Sequence, residues 1–447
     1  HNSLREFIRY QTVHTPNTII ENVFMLQPGH FARFNKGSFV QAEYWKIPDN
    51  HNNQVVSRSE AKIKIRELFE NSIHDRLVAD VEVGAFLSGG IDSSAVTGMM
   101  AQVAKKSIST FTVSFDETEY SEARYAEMVA KKFNTNHREI VLRPEEMLHE
   151  LPLALNAMDH PGGDGPNTYV VSKATRQKGI KVVLTGLGGD ELFAGYPVFK
   201  NALALQQKKI LSYSPSIVKK GVSVMLGMKG RSIANEKIRE VLRLPGPIWP
   251  NFYSVSRSMF PSAFVNDLVL NKNIHNPVWE YASHVHRNHF HKDAIISYIS
   301  RCEIRTYMQN VLLRDTDQMT MAHALEARAP FLDHRLVEYV LSLADREKIP
   351  VTPKALFVES MGDLLPSDIV NRPKMGFTFP WESWMRNELK TFCEDRINRL
   401  TQRDLFNSLL LKGLWERFLK GDTTITWARV WIFVVLEDWL ERNGIES

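Results

Sequence analysis

Strand and helix signals alternate between residues 81 and 191, and this order constrains the fold more than any other feature of the chain. Val81 to Leu87, Ile108 to Phe115, Arg138 to Leu142 and Ile180 to Leu184 are short, apolar and strand-like. Helix-period sequence fills the gaps, from Gly90 to about Ala104, from Glu122 to Phe133, and between Pro144 and Lys178. Strands separated by helical crossovers predict a parallel sheet with helices on both faces, and such sheets take ligands at the carboxyl ends of their strands. Upstream, Ile63, Ile65, Leu68, Phe69, Ile73 and Leu77 approximate the spacing of one buried helix face, with Ser59 as a candidate N-cap. Beyond about residue 200 the signal is mostly helical and ends in an aromatic helix carrying Trp427, Trp431, Phe433, Leu436 and Trp439. Residues 1–50 alternate apolar runs with turns, as at Asn35-Lys36-Gly37, and read as a hairpin-rich β segment. The expected fold class is therefore α/β: a doubly wound parallel sheet, a helical C-terminal half and a short N-terminal β segment.

A chain of 447 residues exceeds the usual reach of one core, so two domains, or one large domain with appendages, are expected. A net charge of +4 over that length gives no reason to expect nucleic acid as a partner. Cys302 and Cys393 form no CxxC pair and cannot build a disulfide framework, which points to a reducing, cytoplasmic compartment. No run approaches the roughly 20 apolar residues of a membrane span. The chain begins at His1 rather than Met and is expected to be cut or processed. His284, His286, His289 and His291 cluster, but their spacing fixes no metal geometry.

The chemistry concentrates in two glycine turns. Ser88-Gly89-Gly90-Ile91-Asp92-Ser93-Ser94 follows a strand and opens a helix. Glycines there let backbone N–H groups form an anion nest, the helix N-terminus adds positive potential, and Ser88, Ser93 and Ser94 add hydroxyl donors. A carboxylate at Asp92 would repel phosphates unless a hard cation lay between, and Mg²⁺ prefers a few carboxylates plus phosphate oxygens. The GxxxxGK[ST] phosphate loop is absent, and an ordinary serine-capped glycine turn is the plain alternative. Thr185-Gly186-Leu187-Gly188-Gly189-Asp190-Glu191 follows a second strand. Asp190 could share a cation with Asp92, or Asp190 and Glu191 could simply cap the next helix.

Taken together, these turns carry a resemblance. SGGIDSS resembles the pyrophosphate loop of the ATP pyrophosphatase superfamily. With GLGGDELFAGY at Gly186 to Tyr196, the chain resembles the asparagine synthetase family. Leu312-Leu313-Arg314-Asp315, leading to Glu326-Ala327-Arg328-Ala329-Pro330-Phe331-Leu332-Asp333, is similar to a further family signature. Asn371-Arg372-Pro373-Lys374-Met375-Gly376-Phe377 resembles the family's late lysine segment. Pro16 to Ile19 and Leu26 to His30 look like the tail of its glutaminase domain.

The resemblance implies a residual part of an Ntn-type glutaminase domain over 1–50 and an ATP-pyrophosphatase-type synthetase domain over 59–445. It implies ATP bound by Leu87, Ser88, Gly89, Gly90, Asp92, Ser93 and Ser94 at the phosphates, and by Val113, Thr185 and Gly186 near the adenosine. It implies Mg²⁺ on Asp92 and Asp190, and Lys374 stabilising charge on the α-phosphate; without the resemblance Lys374 reads as a surface lysine. Glu326 is a candidate catalytic carboxylate, or else an ion-pair partner of Arg328. The implied reaction activates a small-molecule carboxylate, aspartate by default, as an acyl-adenylate and passes it to ammonia, releasing AMP and pyrophosphate. The family's N-terminal nucleophilic cysteine has no counterpart before Cys302, so ammonia is expected from a separate or removed glutaminase domain or subunit. Leu187 stands where biosynthetic relatives carry Glu and β-lactam-forming relatives carry Tyr, and can neither accept a proton nor hydrogen-bond an amine. That opens two alternatives: an amidotransferase acting on a sugar or other carboxylate in a polysaccharide or secondary-metabolite pathway, and a nucleotide-binding subunit without synthetase activity. The resemblance allows a homodimer.

Overall fold

The computed structural model describes residues 2–48, 56–104, 107–115, 122–207, 221, 223, 232–270, 275–290, 293–372 and 379–445. The chain enters through a helix, Asn2–Tyr10, and then turns outward into an antiparallel hairpin of β1 (His30–Asn35) and β2 (Ser38–Glu43). The hairpin turn falls where Asn35-Lys36-Gly37 predicts it. The helix corrects the β reading of the first residues. Leu4, Phe7 and Ile8 lie three and four apart, so one helix face is apolar, and all three are buried in the largest core. Arg5 secures this helix by donating to the Val269 carbonyl at 3.0 Å and to Asn266 Oδ1 at 2.6 Å.

A helix over Arg58–Arg76 begins the main body. Its N-cap is Ser57 rather than Ser59, because only Ser57 sits three residues before Glu60 and completes a capping box with it. Its buried face is Ala61, Ile65, Leu68, Phe69, Ser72 and Ile73, while Ile63 is 71% exposed. Five parallel strands follow: β3 (Val83–Phe86), β4 (Ser109–Phe115), β5 (Asn136–Leu142), β6 (Val182–Leu184) and β7 (Glu326–Arg328). Their order is β5-β4-β3-β6-β7. β7 lies within the stretch read as helical. Three residues carry no periodicity, and β7 exists through non-local pairing: the Glu326 amide donates to the Lys181 carbonyl at 2.8 Å and the Thr185 amide to the Arg328 carbonyl at 2.9 Å.

Alternation along the strands sends side chains into separate cores. Val83, Ala85, Val182 and Leu184 pack with Ile65, Phe69 and Val96 on one face, and Phe111, Val183 and Ile180 pack with Leu325 on the other. This is the doubly wound arrangement. The C-terminal helix Trp427–Arg442 is buried on nearly every side, with Trp431 and Trp381 rings 4.8 Å apart.

A π-helical segment, Ile304–Leu312, runs into the helix Leu313–Met321. The wide turn leaves carbonyls poorly satisfied, and side chains take them up: Asn310 Nδ2 donates to the Arg305 and Thr306 carbonyls at 3.0 and 2.9 Å, and Thr306 Oγ1 to Cys302 at 2.7 Å. Just beyond, Asp315 is buried against Gly162, where an added Cβ would lie 2.5 Å from its Oδ1. Gln318 Nε2 donates to Oδ1 at 3.2 Å. Burial, reinforced by the negative charge of Asp164, raises the Asp315 carboxyl to about 7. A carboxyl raised on folding favours the protonated native state, so stability contributed at low pH is lost as pH rises from the unfolded value of 3.8 to about 7. We expect Asp315→Asn to remove that slope. Denaturant unfolding near pH 5 and near pH 8 should differ by roughly 2–3 kcal/mol less in the variant than in the wild type.

Candidate functional site

The winding of the sheet reverses at β3: β4 and β5 lie to one side, β6 and β7 to the other. A crevice therefore opens at the carboxyl ends of β3 and β6, and both glycine turns project there. The first turn leads into the helix Ile91–Val103. Gly89 has φ +68, and a Cβ on it would stand 2.6 Å from Tyr125 Cβ, so only glycine fits. Ser93 Oγ accepts from the Ser88 amide at 3.2 Å and donates to the Gly90 carbonyl at 3.3 Å, which fixes the turn. From the second turn Gly186 packs onto the first, a Cβ there lying 2.7 Å from Asp92 Cβ.

Between the turns and β4 lies a cavity of about 330 Å³. Leu87, Ser88, Gly90, Asp92, Ser93, Val113, Thr185 and Gly186 line it, as does Leu187. Gly89 and Ser94 are not on the lining; Gly89 backs onto Tyr125, and Ser94 points into the core with no solvent exposure. Phe86, Phe111, Thr112, Glu122, Thr168, Val171 and Thr316 complete the wall and were not foreseen. Glu122 follows a stretch without a motif, and Thr316 comes from a distant helix, so neither carried a signal.

The residue most clearly missed is Lys354. Its ammonium ion-pairs with Asp92 Oδ2 and, at 2.9 Å, with Asp190 Oδ1. It is 5% exposed and adopts φ +59 at the start of the helix Ala355–Met361. Burial pushes its pKa down, but the attraction of Asp92 and Asp190 outweighs this and the net shift is upward. Two carboxylates from separate turns thus converge on one cation-sized position. Such a pair suits Mg²⁺ with phosphate oxygens filling its shell, and no group of three or more His, Cys, Asp or Glu side chains among the described residues could hold a metal alone. Of the histidine cluster, His286 stacks on Phe290 with ring centroids 4.7 Å apart, and His291 lies outside the described residues. Beside Asp190, Glu191 is buried and accepts from Tyr196 Oη at 2.9 Å. Burial, then the charges of Asp190 and Glu303, raise its carboxyl to about 7.

Glu326 is not brought to this cluster. It begins β7, opposite Val182 at the amino end of β6, and its exposed carboxylate accepts from Arg328 Nε at 2.7 Å. Lys374 lies outside the described residues.

A parallel sheet with two glycine turns and paired aspartates at its switch point is an ATP-pyrophosphatase-type domain. The chain belongs to the asparagine synthase family, whose model matches residues 64–441. It is 28% identical to asparagine synthetase [glutamine-hydrolyzing] 1 of Bacillus subtilis, over 90% of this chain and 63% of that protein. A putative asparagine synthetase [glutamine-hydrolyzing] of Mycobacterium tuberculosis is 28% identical over 86% of this chain and 59% of its own length. The protein named amidase chry2 of Gibberella zeae is 26% identical over 87% of this chain and 63% of its own. The chain thus spans 59–63% of the length of these relatives. Over the described residues no helix is long and apolar enough to cross a membrane.

Removing the ammonium should deprive two part-buried carboxylates of the charge Lys354 gives them. Lys354→Met is expected to lower stability by about 3–5 kcal/mol. Millimolar Mg²⁺ should recover part of that loss in the variant and add little to the wild type. Urea unfolding with and without the ion checks both.

Proposed function

We propose that this chain carries out the synthetase half of an amide-forming ligase reaction, binding MgATP in the cavity and activating a carboxylate. The observation that carries this reading is the convergence of Asp92 and Asp190 beneath an N–H-rich turn, beside a cavity with an apolar wall. Phe86, Phe111 and Val113 offer that wall to an adenine ring, and Thr185 brings a buried hydroxyl. Amides of the Ser88–Ser94 turn receive phosphate oxygens. When bound, Mg²⁺ on Asp92 and Asp190 would offset the charge of the polyphosphate. Lys354 supplies a second positive centre beside the same two carboxylates.

In the first step a carboxylate oxygen attacks the α-phosphorus, and the bond to the bridging oxygen of the β-phosphate breaks to release pyrophosphate. Lys374 is assigned, by family resemblance, to stabilising the charge gathering on the α-phosphate. In the second step neutral ammonia attacks the acyl carbon, the C–O bond to AMP breaks, and a proton is lost. Ammonia would come from a glutaminase unit seated on the hairpin, where Phe34 and Phe39 face each other across the strands at 74% and 63% exposure. Aspartate is the default substrate. Leu187 on the cavity wall favours a second reading, in which another carboxylate, such as that of a sugar, is amidated.

ATP–pyrophosphate exchange with Mg²⁺ across a panel of carboxylates, followed by ammonium, tests the proposal. Exchange with aspartate and formation of asparagine would support the default. Exchange with another carboxylate would keep the chemistry and change the substrate. Protein that binds ATP and exchanges with nothing would point to a nucleotide-binding subunit. Asp190→Ala should abolish pyrophosphate release while its circular dichroism stays that of the wild type.

A further inference from the structure

We propose that Arg372 is a phosphate-gripping residue, holding the β- and γ-phosphates of ATP and then the pyrophosphate leaving group. The inference rests on the reading that the cavity takes ATP, and adds a contact that neither glycine turn contains. Arg372 comes from near the end of the body, yet its guanidinium reaches the mouth of the first turn. A Cβ placed on Gly90 would stand 3.8 Å from Arg372 Nη2 and 3.4 Å from Ser88 Oγ. The cation thus lies alongside the amides and hydroxyls expected to receive phosphate.

Its surroundings hold it there. The guanidinium lies 4.7 Å from the ring centroid of Tyr125, the residue that packs beneath Gly89. Nη2 ion-pairs with Glu122 Oε1, and both side chains are 7% exposed. Stacking and pairing fix the plane of the fork before any ligand arrives, so little side-chain entropy remains to be lost on binding.

One edge of the fork is unused. Arg372 Nη1 is buried and has no hydrogen-bond partner among the described residues. A buried guanidinium N–H left unmet is costly, and such groups ordinarily find an acceptor. Glu122 Oε1 is engaged by Nη2 and does not reach Nη1, and the Gly90 carbonyl of the neighbouring turn already accepts from Ser93 and Ser94. The acceptor that fits this place is a phosphate oxygen, which arginine meets with strong charge-assisted hydrogen bonds. Glu122 lines the cavity, and alone its carboxylate would repel a polyphosphate. Paired with Arg372 it becomes an anchor that aims the cation.

A structural latch would make the same contact to Glu122 but would ignore the phosphates. Calorimetric titration of the full chain with ATP, pyrophosphate and AMP separates the two. Arg372→Met should weaken ATP and pyrophosphate by about ten- to fiftyfold and AMP by less than about twofold. Arg372→Lys keeps the charge without the fork and should lie between; it also serves if the methionine variant unfolds, which thermal melting would reveal. Equal weakening of ATP and AMP, or no change in any of the three, would overturn the proposal. Wild-type protein that binds AMP and pyrophosphate, with only pyrophosphate sensitive to Arg372, would keep this contact even if the carboxylate chemistry failed. Wild-type protein that binds none of them would overturn the ATP reading and this contact together.

Discussion

One ammonium between two carboxylates organises the centre of this molecule. Asp92 opens a helix after β3, Asp190 opens another after β6, and Lys354 reaches in from a loop in the C-terminal half. Buried ion pairs of this kind add little net stability over apolar packing, because removing the charges from water costs about what their attraction returns. Their effect is positional. Each carboxylate is fixed relative to the other, so the two turns keep their spacing and the cavity between them keeps its shape. Close contact between Gly186 and Asp92 serves the same end, since any side chain at 186 would push the turns apart.

The sequence was most legible where local pattern and fold agree. Strand runs at residues 83, 109, 136 and 182 and the helices between them came through because each buries one face at a fixed period. Both glycine turns came through because their backbone geometry restricts residue choice. The misses share a different physical origin. β7 is three residues long and is held by pairing with β6, which no local window contains. Lys354 sits at a positive φ that lysine rarely takes, in a loop whose neighbours give no hint of burial. Glu122 and Arg372 are 250 positions apart and gain meaning only through each other. The helix Asn2–Tyr10 is the exception, for its apolar spacing was readable but was overshadowed by the turns that follow.

Leu187 shows how a family frame can be kept while one wall of its site changes. The turn bearing it keeps its glycines and both acidic residues, and Asp190 keeps its ion pair. Leu187, which by the resemblance stands where relatives carry Glu or Tyr, faces the cavity. In the proposed reading, the frame that would hold a nucleotide and the surface that would select what reacts with it are carried by neighbouring residues with separate physical demands. Backbone geometry governs the first, and side-chain chemistry the second.

The helix Asn2–Tyr10 has a consequence for how the parts of a longer polypeptide would move. Phe7 and Ile8 are fully buried in a core shared with Trp381, Trp431 and Phe433 from the other end of the chain. Anything joined ahead of Asn2 is therefore not hung on a slack tether at the hairpin. It is bolted to a rigid element seated in the largest core, and the hairpin is an arm reaching out from the same body. The same core includes Val113 of the cavity wall, so such an attachment is continuous with both the C-terminal helices and the cavity. A cut placed between the hairpin and Ser57 would sever more than a linker, because it would pull a structural wedge out of the domain it was meant to release.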